Sequence, residues 1–158
     1  YSIKSIKSVS MKIDLVVGGY IFHEEKVLLI HHRKLHLWLP VGGHIDPNET
    51  PDSAMIREAK EETNVDITLL QKTNMPMGGN AKEHLASPFY VNVHSVGDHD
   101  HCCFYYICKA TNPEALQPNK ELLGAEWFTL DEVLVCEAPV DVKNQVKVAF
   151  TLYHSINT

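Results

Sequence analysis

The string GHIDPNETPDSAMIREAKEETNV, residues 43–65, holds the least ordinary chemistry of the chain. From Thr50 its pattern is helical: Thr50 suits an N-cap, Pro51 the first helical position, and Asp52 places an acid in the first turn. The helix is expected to run to about Thr63, with Asn64 as a left-handed stop. Near its end stand Arg57, Glu58, Lys60, Glu61 and Glu62. Glu58, Glu61 and Glu62 fall at i, i+3 and i+4, so three carboxylates crowd one face, and acids in a last turn oppose the helix dipole. Arg57 relieves Glu61 at i+4 but does not neutralise three acids. Between Asp46 and Asp66 there are seven acids and two bases, a net −5 out of the whole chain's −6. A solvated face is the ordinary reading of such a run. A hard divalent cation held among the acids is the functional one, because Mg²⁺ takes oxygen ligands and removes the repulsion.

Upstream of this helix, residues 12–22 and 26–32 are β-branched or apolar runs around a turn-like 23–25, and they read as two strands. A Gly- and Pro-containing loop is expected at 38–43. Downstream, strands are expected at 65–70, 89–94 and 101–109, with a Gly-rich stretch at 75–80 and a loop at 113–118. Trp127 and Phe128 read as a short edge or final strand, followed by a turn at 129–132. A closing helix after Pro139 carries Val142, Val146, Ala149, Phe150 and Tyr153 on one face, the spacing of a buried stripe. Strands interleaved with helices imply an α/β fold, a mixed β-sheet covered on both faces.

The 158 residues suit one domain, 1–158, with 44% hydrophobic and 22% charged residues excluding collagen-like, low-complexity and disordered readings. Residues 1–10 precede the patterned part as a flexible tail or a swapped strand. No apolar run spans a bilayer, the opening stretch has no hydrophobic signal core, and a soluble cytoplasmic protein without membrane partners is expected. The basic residues form no stripe, which disfavours binding to a nucleic-acid polymer. Four cysteines, Cys102, Cys103, Cys108 and Cys136, have neither metal-ligand spacing nor a disulfide framework, so they read as reduced packing residues.

Written as Gly43, five residues, Glu49, seven residues, then Arg57-Glu58-Ala59-Lys60-Glu61-Glu62-Thr63-Asn64-Val65, the first string resembles the Nudix box of the Nudix hydrolases (MutT-like). Six spaced identities at ordinary residue usage give a chance match on the order of 10⁻⁵ in a chain this long. Ala59 stands where a larger aliphatic is usual, and Asn64 where Gly is usual. Trp38-Leu39-Pro40 and Trp127-Phe128 also look like the family. The resemblance implies a Nudix-type α/β/α sandwich and a pyrophosphohydrolase that cleaves a nucleoside diphosphate linked to another moiety, with Mg²⁺ or Mn²⁺. It implies Glu58, Glu61, Glu62 and the Gly43 carbonyl as metal ligands, and a catalytic set of Glu61, Arg57 and Glu121. Within that set Glu61 ligates or polarises water, Arg57 orients the carboxylates, and Glu121 is the second acid from a loop ahead of the last strand. Glu49 braces the loop against the helix. The implied partner is a small nucleotide-type molecule, and the family allows a homodimer. The alternative is a Nudix-like module that binds a nucleotide without turnover.

Ten histidines are unusual for this length. His44 follows the glycine pair, and His99 and His101 are expected on one strand face at i, i+2. Placed near the cleft, these three would bond phosphate oxygens of a substrate. A zinc site is the sharper reading, but the spacing matches no known ligand signature and no acid is fixed beside them.

Overall fold

The computed structural model describes residues 11–156; the expected tail at 1–10 lies outside the described residues. Two long parallel strands, β1 (Ile13–His23) and β7 (Asp100–Ala110), form the spine of an eight-stranded mixed sheet. The strands between and beyond them are β2 (Lys26–His32), β3 (Trp38–Leu39), β4 (Val41–His44), β5 (Ile67–Leu69), β6 (Tyr90–Ser95) and β8 (Leu122–Phe128). The free edge of β1 is shared: β2 pairs with its C-terminal end and β4 with residues 16–19. The outer edge of β7 is shared likewise by β6 and β5, while β2 carries β3 and β8.

Helix α1 (Pro51–Thr63) covers one face, while α2 (Leu130–Val135) and α3 (Val140–Ile156) join the opposite layer. The caps anticipated for α1 are in place. Thr50 Oγ1 accepts from Ser53 N at 3.2 Å, and Asn64 adopts φ 60° with its N–H on Lys60 O at 3.0 Å. Asn is the residue after Gly that best tolerates this left-handed geometry, and its side chain adds a bond to Ala115 O at 3.1 Å.

Alternation along β1 sorts the core into two layers. Val17 and Ile21 join Val41, Met55, Ala59 and Val65 under α1. Val16, Tyr20 and Phe22 join Val146, Ala149 and Phe150 under α3. The stripe expected on the last helix is buried throughout. Both faces of β7 are largely buried, as its continuous apolar run implied. Ala59, the departure from the usual box residue, is fully buried beneath α1, where a small side chain suffices.

Three local expectations are corrected. The stretch 38–43 is two strands rather than a loop: Gly42 and Gly43 lie opposite Gly18 and Val17 of β1, held by backbone pairing that needs no side chains. The expected turn at 129–132 opens α2, because Thr129 and Glu132 close a capping box, with Glu132 Oε2 accepting from Thr129 N at 2.7 Å. Trp127 and Phe128 do lie in the final strand of the chain, but it is seven residues long and paired along β2 rather than short. Among the described residues, no helix is long and apolar enough to cross a membrane.

Met55 is fully buried between α1 and β1, its thioether filling the space left by Gly19. Met55→Ala should lower unfolding free energy by about 2–5 kcal/mol, read as a drop in the urea midpoint at unchanged slope.

Candidate active site

Helix α1 lies across β4 so closely that its acids meet strand backbone. A Cβ on Gly43 would collide with the Glu58 carboxylate, and one on Gly42 with the Val17 carbonyl. Glycine is required here by close approach rather than by dihedral angle. Glu62 Oε2 accepts from Gly42 N at 3.1 Å. Gly43, Glu58 and Glu62 are therefore gathered at one point.

Arg57 is the counter-charge at the centre. Its Nε and Nη2 donate to the two oxygens of Glu49 at 2.8 and 3.0 Å, its Nη1 to Glu58 at 2.9 Å and Glu61 at 3.0 Å, and its Nη2 also to His44 O at 2.9 Å. One guanidinium thus ties the loop before α1, the end of β4 and two helix carboxylates together, using the fixed fork that Lys lacks. Glu49 also accepts from Asp46 N at 2.9 Å; the Arg57 fork and that bond hold its carboxyl below the usual range.

Glu62 is different. Ringed by protein atoms though not fully covered, it is pushed up to about 8, first by burial, against the Gly42 bond, and further by Glu58, Glu121 and Glu61. Burial also raises Glu58, opposed by Arg57. Glu121 reaches this neighbourhood because its loop is stitched to the end of α1: Gln117 N on Thr63 O at 2.8 Å, Asn119 N on Glu62 O at 2.9 Å, and Asn119 Nδ2 on Glu61 O at 3.2 Å. Glu121 N then donates to Asn119 Oδ1 at 2.9 Å.

Gly42 and Gly43 also line a cleft of about 660 Å³ on the α3 side, whose walls include His44, His94, His101, Tyr105 and Asp141. His44 and His101 face it as expected. His99 is not on the strand; it sits in the bend before β7, and its ring nevertheless meets His101, Nε2 to Nε2, at 3.1 Å. An acid does stand beside these rings, contrary to expectation. Asp14 Oδ2 lies 3.5 Å from both His44 Nε2 and His99 Nε2. Its signal was present as a single acid in the inward-facing series Asp14, Val16, Gly18, Tyr20 of β1, but its neighbours depend on the pairing of β1 with β7.

The four cysteines are free; Cys103, Cys108 and Cys136 sit in the core layers while Cys102 is half-buried outside them, and burial pushes the Cys103 thiol up to about 12.

The model of the NUDIX domain matches residues 12–149, and the chain belongs to that family. An asymmetrical bis(5'-nucleosyl)-tetraphosphatase of Caenorhabditis elegans is 29% identical over 99 residues, 63% of this chain and 63% of that protein, so the match spans less than two thirds of the relative's length. A NUDIX-family hydrolase from Clostridium perfringens superposes with a TM-score of 0.76 at 28% identity, covering 89% of this chain and 97% of the other. A Caenorhabditis elegans Ap4A hydrolase shares the fold, with a TM-score of 0.70 at 20% identity over 90% of this chain and 98% of that one.

The raised Glu62 carboxyl has a sign that stability measurements read. Its folded value near 8 exceeds the ordinary carboxylate value of about 4.3, so the folded chain holds the extra proton between the two. This contribution to stability is complete below the lower value and is lost as pH rises through the upper one. In chelator, the stability difference between Glu62→Gln and the native chain should move in favour of the variant from about pH 5 to about pH 9, measured by urea unfolding at each pH.

Proposed function

We propose that this chain is a divalent-cation-dependent pyrophosphohydrolase that cleaves a nucleoside diphosphate linked to another moiety, by attack of water at phosphorus. The observation that carries the reading is the meeting of Glu58 and Glu62 against the backbone of Gly42 and Gly43, two residues that also line a cleft large enough for a nucleotide. An acidic cluster repels a diphosphate unless cations intervene. The donors are all oxygens, they repel one another, and one of them is held at a raised pKa by burial and like charge, which fits Mg²⁺ or Mn²⁺. When bound, the ion supplies positive charge that offsets the diphosphate oxygens and favours ionisation of water.

The chain's own residues do the rest. Glu58, Glu62 and the Gly43 carbonyl hold the ion, with Glu61 as a further ligand or as the group that polarises water. Arg57 acts by positioning: it fixes Glu58 and Glu61 relative to β4 through its bonds to Glu49 and His44 O. Glu121, in reach of Glu62's field, accepts the proton of the attacking water. The new bond forms between water oxygen and phosphorus, the bridging P–O bond breaks, and the leaving phosphate departs with that electron pair. The name of the C. elegans relative puts dinucleoside tetraphosphates first among the substrates to try, ahead of ADP-ribose and sugar nucleotides.

Turnover of such a panel should require Mg²⁺ or Mn²⁺ and should fall by about 100-fold or more in Glu62→Gln. Glu121→Gln should lower kcat by about 100-fold or more while leaving cation affinity in place. Nucleotide binding with no turnover of any panel member, under either cation, would replace this reading with a silent nucleotide-binding module.

A further inference from the structure

We propose that Asp14, His44, His99 and His101 form a second metal site, built for a transition metal and best suited to Zn²⁺. It shares no ligand with the carboxylate site proposed above. Strand register brings three of the four together. In the parallel pairing of β1 with β7, Asp14 lies opposite His101. In the antiparallel pairing of β1 with β4, His44 lies opposite Val16, one pleat from Asp14 on the same face. The fourth arrives from the hairpin turn between β6 and β7, which Val96 N closes on His99 O at 3.0 Å.

Each residue offers one ligand atom, and all four atoms lie within 4.8 Å of one another. A tetrahedral site with bonds of about 2.0–2.1 Å has edges of about 3.3 Å. Three of the edges are near that length already: His99 Nε2 to His101 Nε2 is 3.1 Å, and Asp14 Oδ2 stands 3.5 Å from His44 Nε2 and from His99 Nε2.

A second observation concerns the hydrogen on His99. Its Nδ1 lies 2.6 Å from Asp98 Oδ1. A carboxylate only accepts, so the neutral ring carries its hydrogen on Nδ1 and turns the Nε2 lone pair into the cluster. A carboxylate behind a ligating imidazole is the usual outer support of a zinc site. Lys12 Nζ also reaches Asp14, at 3.0 and 3.1 Å. That exposed side chain is free to swing away.

Three imidazoles and one carboxylate select zinc and its neighbours over Mg²⁺, which the carboxylate site prefers. Four protein ligands leave no open position, the pattern of a structural ion. It would join β4, β1, β7 and the β6–β7 turn, and fix His44, whose carbonyl is an acceptor of Arg57. Occupancy by an ion and direct bonding of these nitrogens to substrate phosphate are mutually exclusive.

The test is titration of the chelator-stripped full chain with Zn²⁺ and, as a spectroscopic probe, Co²⁺. One equivalent of Zn²⁺ should bind and raise the thermal midpoint, and Co²⁺ should give the intense visible bands of a tetrahedral site. Both signals should persist in Glu62→Gln and disappear in His99→Ala. Asp98→Asn should weaken binding by about 10- to 100-fold. Circular dichroism of metal-free His99→Ala checks its fold, and His44→Ala, at an exposed position, repeats the test. Absence of Zn²⁺ binding by the native chain would overturn the proposal. So would binding that is lost in Glu62→Gln and kept in both histidine variants, since the carboxylates would then be the ligands.

Discussion

Glu58 and Glu62 reach the backbone of Gly42 and Gly43 with no side chain between, and the rest of the molecule is arranged around that contact. It needs β4 without Cβ atoms at two successive positions. It needs α1 to cross the strand at a fixed height, which Met55 and Ala59 set by packing beneath it. It also needs a cation within the protein to hold the acids in place, and Arg57 meets that need by bonding Glu49, Glu58, Glu61 and the His44 carbonyl at once.

Such a cluster is unfavourable by itself. Partly covered carboxylates lose hydration, and like charges on neighbouring turns repel. Burial and the neighbouring acids together raise the Glu62 carboxyl well above the usual carboxylate range. The two apolar layers on either side of β1 and β7 offset the cost of the cluster, and Arg57 offsets part of it locally. A cation bound as proposed would relieve the remainder, so the feature that weakens the isolated chain is the one that would prepare it to take up an ion. Local rules broken at a site and compensated elsewhere in the fold are a common mark of function.

Much of this was legible in the residues. Helix α1 announced both its ends through Thr50, Pro51 and Asn64, and the buried stripe of α3 followed from its spacing. The acids of the box stood out because they violated helix electrostatics. What was hidden depended on pairing between distant segments. The strand character of 38–43 is carried by backbone bonds to β1, and glycines leave no alternation to read. Helix α2 is too short for a 3.6-residue period to show, although Thr129 and Glu132 form a capping box. Asp14 and His101 become neighbours only once β1 and β7 align in parallel, a register set by the whole spine rather than by either strand. His99, read as a strand residue, acts from a turn, because the chain reverses just ahead of β7.

The most direct test of the central claim is calorimetric titration of Mg²⁺ into the native chain and Gly43→Ala. The atom that a Cβ would strike is the flexible end of Glu58, so the substitution should displace that carboxylate and spare the fold. Mg²⁺ is the right probe because imidazole nitrogens compete poorly for it. Affinity lower by about tenfold or more, with unchanged circular dichroism, is the result expected when a ligand loses its position. Equal affinity in the two chains would contradict the claim that the glycine contact builds the cation site.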